Sequence, residues 1–121
     1  MKNKPTLVLG ASTDPQRYSY KAILLLRKYG HNVIAVGKQL GQVGDVTIDI
    51  SFPDNISVHT VTLYLNPLNQ RKYIDQILQL RPQRIIFNPG TENPEFEQLA
   101  KENNIQTEQA CTLVLLNTGQ Y

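Results

Sequence analysis

The feature that most constrains this chain is a strand, a helix and a second strand following one another without slack near its start. Thr6-Leu7-Val8-Leu9-Gly10 is a short apolar run that stops at glycine, as a buried parallel strand does before turning over the sheet edge. Tyr20 to Tyr29 then carries Ala22, Ile23, Leu24, Leu25, Leu26 and Tyr29, a broad apolar stripe at helical spacing, with Gly30 placed as its C-cap. Asn32-Val33-Ile34-Ala35-Val36 is a second buried strand. Strand, helix and strand fit in about 32 residues, the size of one β-α-β unit, so the two strands should be parallel with a right-handed crossover.

The same alternation continues. Residues 38–45, with Gly41 and Gly44, read as a loop, and Val46-Thr47-Ile48-Asp49-Ile50 alternates like a short edge strand. Residues 60–65 form a strand with Val61, Leu63 and Leu65 on one face, an alternation at odds with the central place it takes. A helix is expected over residues 68–80, burying Ile74, Ile77, Leu78 and Tyr73, and Pro82 ends it. Arg84 to Phe87 is a strand stopped by Asn88-Pro89-Gly90, residues 94–102 a short helix, 105–108 a last strand and 112–116 a short terminal helix. The pattern predicts an α/β fold, a Rossmann-like three-layer sandwich with a mainly parallel sheet in the order 3-2-1-4-5-6. That order puts a ligand crevice at the carboxyl ends of the first and fourth strands, where the winding reverses.

At 121 residues the chain is long enough for one domain, expected over residues 1–121. It is 40% hydrophobic and 18% charged, the balance of a folded globular protein. A net charge of +2 with scattered Lys and Arg gives no phosphate-tracking stripe, so no nucleic-acid partner is expected. No apolar run approaches a membrane span, and the start lacks the apolar core of a signal peptide. A single cysteine, Cys111, fits a reducing compartment. These observations predict a soluble, cytoplasmic protein with no membrane partner.

The first strand runs into Gly10-Ala11-Ser12-Thr13-Asp14-Pro15-Gln16-Arg17-Tyr18-Ser19 before the helix. Backbone N–H groups and the positive end of a helix dipole face the crevice there, which makes an anion site. Ser12 and Ser19 can add hydroxyl donors and Arg17 a charge-assisted contact; the competing role for Ser19 is helix capping, and for Arg17 simple solvation. The fingerprint G-x-G-x-x-G is absent, since Gly30 is the next glycine after Gly10. Where a dinucleotide site has an acid for the ribose diol, this chain has Val36-Gly37-Lys38, and a lysine suits a phosphate on the ribose. Coenzyme A is therefore favoured, NADP is less so, and NAD is disfavoured. Asn66-Pro67 and Asn88-Pro89-Gly90 close the next two strands on the same edge, where they are expected to turn amides and carboxamides into the crevice.

Gly10-Ala11-Ser12 followed by Pro15, Arg17, Ser19 and Tyr20 resembles the first loop and helix start of the small stand-alone coenzyme A-binding proteins. These are similar to the coenzyme A-binding domain of the succinyl-CoA synthetase α subunit. The resemblance extends over nearly the whole chain and includes Gly90 and Cys111. It implies a Rossmann-like domain holding the ADP portion of coenzyme A, or of an acyl-CoA, across Gly10, Ala11, Ser12, Arg17, Ser19, Gly37, Lys38, Asn66, Pro67, Asn88, Pro89 and Gly90. The family often has Asn-Pro where Gly37-Lys38 stands, and Arg and Pro around the cysteine where Ala110 and Thr112 stand.

No catalytic constellation is legible. His31 and His59 read as far apart and have no ligand spacing, so no metal site is expected. Glu92, Glu95 and Glu97 gather at a helix start, where the dipole favours acids. Cys111 is expected to be structural; were it reactive, a mixed disulfide with coenzyme A would be its specific chemistry. The expected function is a non-catalytic coenzyme A-binding module, alone, as a homodimer or with a partner enzyme. The rivals are an NADP-binding oxidoreductase-like protein and a degenerate Rossmann domain that self-associates through Leu113-Val114-Leu115-Leu116.

Overall fold

The computed structural model describes residues 2–121. Seven strands form one sheet: β1 (Thr6–Ala11), β2 (Val33–Gly37), β3 (Gly41–Val43), β4 (Val46–Asp49), β5 (Thr60–Leu63), β6 (Arg84–Phe87) and β7 (Gln106–Gln109). Their order is β3-β4-β2-β1-β5-β6-β7, and every neighbouring pair is parallel except β3 with β4. The six parallel strands alone stand in the expected order 3-2-1-4-5-6. The difference is β3, which lies within the segment read as a loop. It pairs with β4 through Gln42–Thr47 and Val43–Val46 and so takes the sheet edge that β4 was expected to hold. Its three residues are too few for any period to register.

Alternation along the strands fills two layers. Leu7, Leu9, Val61, Leu63, Ile85 and Phe87 face the layer of α3 (Ile74–Leu80) and α4 (Pro94–Glu102), where Ile77, Phe96 and Ala100 meet them. Val8, Ala35, Ile48 and Ile86 face α1 (Tyr18–Lys28) and α5 (Thr112–Asn117), closed by Ile23, Leu26 and Leu116. The result is the Rossmann-like α/β/α sandwich. Phe87 and Phe96 meet edge to face, 5.5 Å between centroids, at the centre of the first layer. Truncating either to Ala would cost about 3–5 kcal/mol.

The polar alternation of β5 has a reason. Thr60 and Thr62 point to the second layer and are fully buried, but each is hydrogen-bonded. The Thr60 hydroxyl accepts from Arg84 Nε at 3.1 Å, and the Thr62 hydroxyl shares a 2.8 Å bond with that of Thr112. A buried hydroxyl with partners is tolerated in a central strand, so the strand need not be wholly apolar.

The segment 68–80 is not one helix. A short α2 (Pro67–Gln70) starts directly after β5, a 3₁₀ turn covers Arg71–Tyr73, and α3 follows. Asn66 caps α2, its Oδ1 accepting from Asn69 N at 2.9 Å, with Pro67 in the first turn. Arg81 ends α3 in the left-handed region at φ 53, immediately before Pro82.

Candidate functional site

A cleft of about 580 Å³ opens where the winding reverses, at the carboxyl ends of β1, β2, β5 and β6. Its floor depends on two glycines. Gly10 is a bulge rather than the end of its strand, since β1 runs on to Ala11 and the register with β2 shifts between Leu9 and Ala11. Its φ of +91, and a Cβ position that would fall 2.8 Å from the Tyr64 carbonyl oxygen, leave only glycine there. Gly37 closes β2 against the Ala11 carbonyl, with no space for a side chain.

The first wall is the β1–α1 loop, with Ala11, Ser12, Thr13, Arg17, Tyr18 and Ser19 on the cleft. The loop holds its own shape. Ser12 Oγ accepts from Asp14 N at 3.0 Å, Asp14 Oδ1 from Gln16 N at 3.0 Å, and the Asp14 carbonyl from Arg17 N at 3.0 Å. The first helical residue is Tyr18, so Ser19 is not the cap but the second helical residue, and it is buried. The capping position belongs to Arg17, which makes no side-chain capping bond, and the first turn contains no acid. Lys21 N returns to the Arg17 carbonyl, so the amides of Tyr18, Ser19 and Tyr20 are the unclaimed donors of this helix end. The Arg17 guanidinium lies 3.8 Å from Asp14 Oδ2 in a loose, solvent-exposed pair that is easily redirected.

Val36, Gly37, Lys38 and Gln39 form the second wall, with Lys38 exposed. The third consists of Tyr64, Leu65, Asn66, Asn69, Lys72 and Tyr73, and Pro89, Gly90 and Thr91 close the far end. Arg17, Lys38 and Lys72 are the cations on this lining, and no carboxylate is on it among the described residues. Burial pushes the Tyr64 phenol well above its ordinary range, so it stays neutral.

Most of the residues singled out in the sequence meet here: Gly10, Ala11, Ser12, Arg17, Ser19, Gly37, Lys38, Asn66, Pro89 and Gly90. Pro67 and Asn88 do not line the cleft. Asn88 is buried, and its carboxamide faces into the protein, not the crevice. Nδ2 donates to Thr62 Oγ1 at 2.7 Å and to the Leu63 carbonyl at 2.8 Å, while Oδ1 accepts from Thr112 N at 2.9 Å. Sheet and helix α5 have claimed it completely. Lys72, Tyr73 and Asn69 were missed. Asn66, Asn69, Lys72 and Tyr73 recur at three- and four-residue spacing, so a helix beginning directly at Asn66-Pro67 presents them on one face; that spacing was the available signal. Lys72 Nζ sits 5.0 Å above the Tyr73 ring, which braces the ammonium at the rim.

The two histidines are closer than the sequence suggests, because β2 and β5 both neighbour β1. They lie at the opposite end of the sheet: Lys4 N donates to His31 Nδ1 at 2.9 Å, and His59 N to the Pro5 carbonyl at 2.8 Å. Cys111 is half-buried ahead of α5 and is not on the cleft lining. Among the described residues, no three or more His, Cys, Asp or Glu side chains gather as a metal site, and no helix is long and apolar enough to cross a membrane.

Comparison with known proteins agrees with this geometry. No curated protein matches the sequence. A crystal structure of an uncharacterized protein is 45% identical, with each chain covered in full and a TM-score of 0.96. Cell-free ID.343 from Thermus thermophilus, at 24% identity, shares the fold over 98% of this chain and 91% of its own, TM-score 0.84. A hypothetical protein from Pyrococcus horikoshii OT3, at 21% identity, does so over 97% and 84%, TM-score 0.86. The profile of the CoA binding domain matches residues 4–117, nearly the whole chain. With its crevice at the point where the sheet's winding reverses, this chain belongs to the CoA binding domain family.

Proposed function

We propose that the protein is a non-catalytic carrier or sensor of coenzyme A and its thioesters, working alone or beside a partner enzyme. One observation carries the reading. The uncapped start of α1 opens into a cleft whose charged lining residues are Arg17, Lys38 and Lys72. Unclaimed amides at a helix start favour a diphosphate, and the lysines favour the further phosphate on the ribose. The pyrophosphate would lie over Gly10-Ala11-Ser12 and the amides of Tyr18 and Ser19. Lys38, with Arg17, would meet the ribose phosphate, and the pantetheine arm would pass Asn66 toward Pro89 and Gly90. Among the described residues the cleft lining holds no His, Cys, Asp or Glu, and the reading therefore assigns this chain the holding of the ligand.

Thermal melting with coenzyme A, acetyl-CoA, NADP and NAD tests the assignment. A ligand at 100 times its Kd stabilises the fold by about 2.7 kcal/mol, a shift of several degrees for a chain of this size. Coenzyme A and acetyl-CoA should raise the midpoint and NAD should not. No shift with either coenzyme A form would refute the proposal, and a shift with NADP alone would transfer the site to a nicotinamide cofactor.

A further inference from the structure

The cleft is electrically polarised along its length. Its cations come from the β1–α1 loop, the end of β2 and the turn after α2. The β6–α4 end contributes none, and its hydrogen-bond donors are already engaged. Thr91 N and Oγ1 both donate to the Asn88 carbonyl, at 2.9 and 2.7 Å, and the Thr91 carbonyl accepts from Gln70 Nε2 at 2.8 Å. The remaining donor, Gly90 N, is met by the carboxylate of Glu92, with Oε1 at 2.8 Å. A fixed negative charge therefore sits against a residue that lines the far end of the cleft. Among the described residues, no Lys, Arg or His forms an ion pair with Glu92.

We infer that Glu92, docked on the Gly90 amide, makes this site selective for thioesters whose acyl group is uncharged and against those ending in a carboxylate. The inference rests on the coenzyme A reading above. Phosphates seated at α1 leave the acyl end to emerge beside Gly90. A second carboxylate there would approach Glu92, whose charge no ion pair offsets among the described residues, and like charges held near each other at a surface of intermediate dielectric repel. The amide that could have received the incoming carboxylate is already occupied. Discrimination of this kind comes from a placed repulsion and needs no added attraction.

Isothermal titration of the full chain with coenzyme A, acetyl-CoA and malonyl-CoA at matched ionic strength tests this, on the natural protein and on Glu92→Gln. Glu92 is exposed and outside both core clusters, so the variant should fold. Malonyl-CoA should bind the natural protein about five- to tenfold more weakly than acetyl-CoA. In Glu92→Gln, and in high salt, that ratio should fall toward one. Equal binding of the two thioesters by the natural protein overturns the inference while leaving the coenzyme A site intact. So does a preference that survives in Glu92→Gln. Failure of all three ligands to bind overturns the coenzyme A reading, and this inference with it.

Discussion

Gly37 stands so close to Ala11 that any side chain on it would collide with the Ala11 carbonyl. The two residues are register partners at the ends of β2 and β1, and both line the cleft. The obstruction is backbone, which cannot rotate away as a side chain could. Gly37→Ala should therefore destabilise the protein by about 1–3 kcal/mol. Urea unfolding monitored by circular dichroism measures it, and a midpoint equal to that of the natural protein would show that the strand ends yield.

Asn88 should matter for stability and little for the ligand. Asn88→Ala removes three hydrogen bonds and leaves the buried Thr112 amide without its acceptor. A loss of about 1–3 kcal/mol is expected for such an orphaned group. Coenzyme A affinity, measured by titration well below the melting midpoint, should change by less than about twofold, because the side chain faces into the protein. A large loss of affinity with unchanged stability would put the carboxamide in the crevice after all.

Lys38 should discriminate between coenzyme A and its 3′-dephospho form. Losing one exposed charge-assisted phosphate contact costs on the order of tenfold in affinity. Lys38→Ala should weaken coenzyme A by that factor and leave dephospho-coenzyme A nearly unaffected. Lys72→Ala compares the opposite wall. If Lys72 rather than Lys38 erases the discrimination, the ribose phosphate lies on the α2 side.

Acid should loosen the far end of the sheet. Burial, reinforced by the charges of Lys4 and Arg84, holds the His31 imidazole below its ordinary value of 6.5, and His59 is shifted the same way for the same reasons. The neutral ring of His31 is the form that accepts the Lys4 amide. In the folded state the pKa is depressed, so between it and 6.5 the unfolded chain binds the extra proton. Stability is then fully present above pH 6.5 and falls as pH drops below it, by at most about 1.4 kcal/mol per pH unit for each histidine. Urea midpoints at a series of pH values should be flat above 6.5 and slope below. His31→Gln, which can still accept the Lys4 amide, should lessen the slope and leave the His59 contribution. An unchanged slope would exclude His31 from the effect.

Much of the fold was legible because burial on both faces of a parallel strand leaves a continuous apolar signature. Leu7 to Leu9, Val33 to Val36 and Ile85 to Phe87 carry it plainly. What escaped was short, for a reason outside its own segment. The three residues of β3 form a strand only because β4 lies beside them to receive their hydrogen bonds. The threonines of β5 are acceptable because Arg84, Asn88 and Thr112 reach them from elsewhere in the chain. The break at Arg71–Tyr73, between α2 and α3, leaves no mark that the amphipathic pattern can show.

The candidate site divides along the same line. Sequence alone determined that strand ends rich in glycine, serine, asparagine and proline would gather on one sheet edge. Parallel connectivity puts every carboxyl end there, whatever the side chains. Only the tertiary structure decided which polar groups remained available to a ligand. Asn88 and Asn66 share a residue type and a position after a strand, yet one is consumed by the core and the other lines the cleft. That outcome depends on which acceptors and donors the packed neighbours bring within about 3 Å, a matter of three-dimensional hydrogen-bond satisfaction that no spacing along the chain encodes.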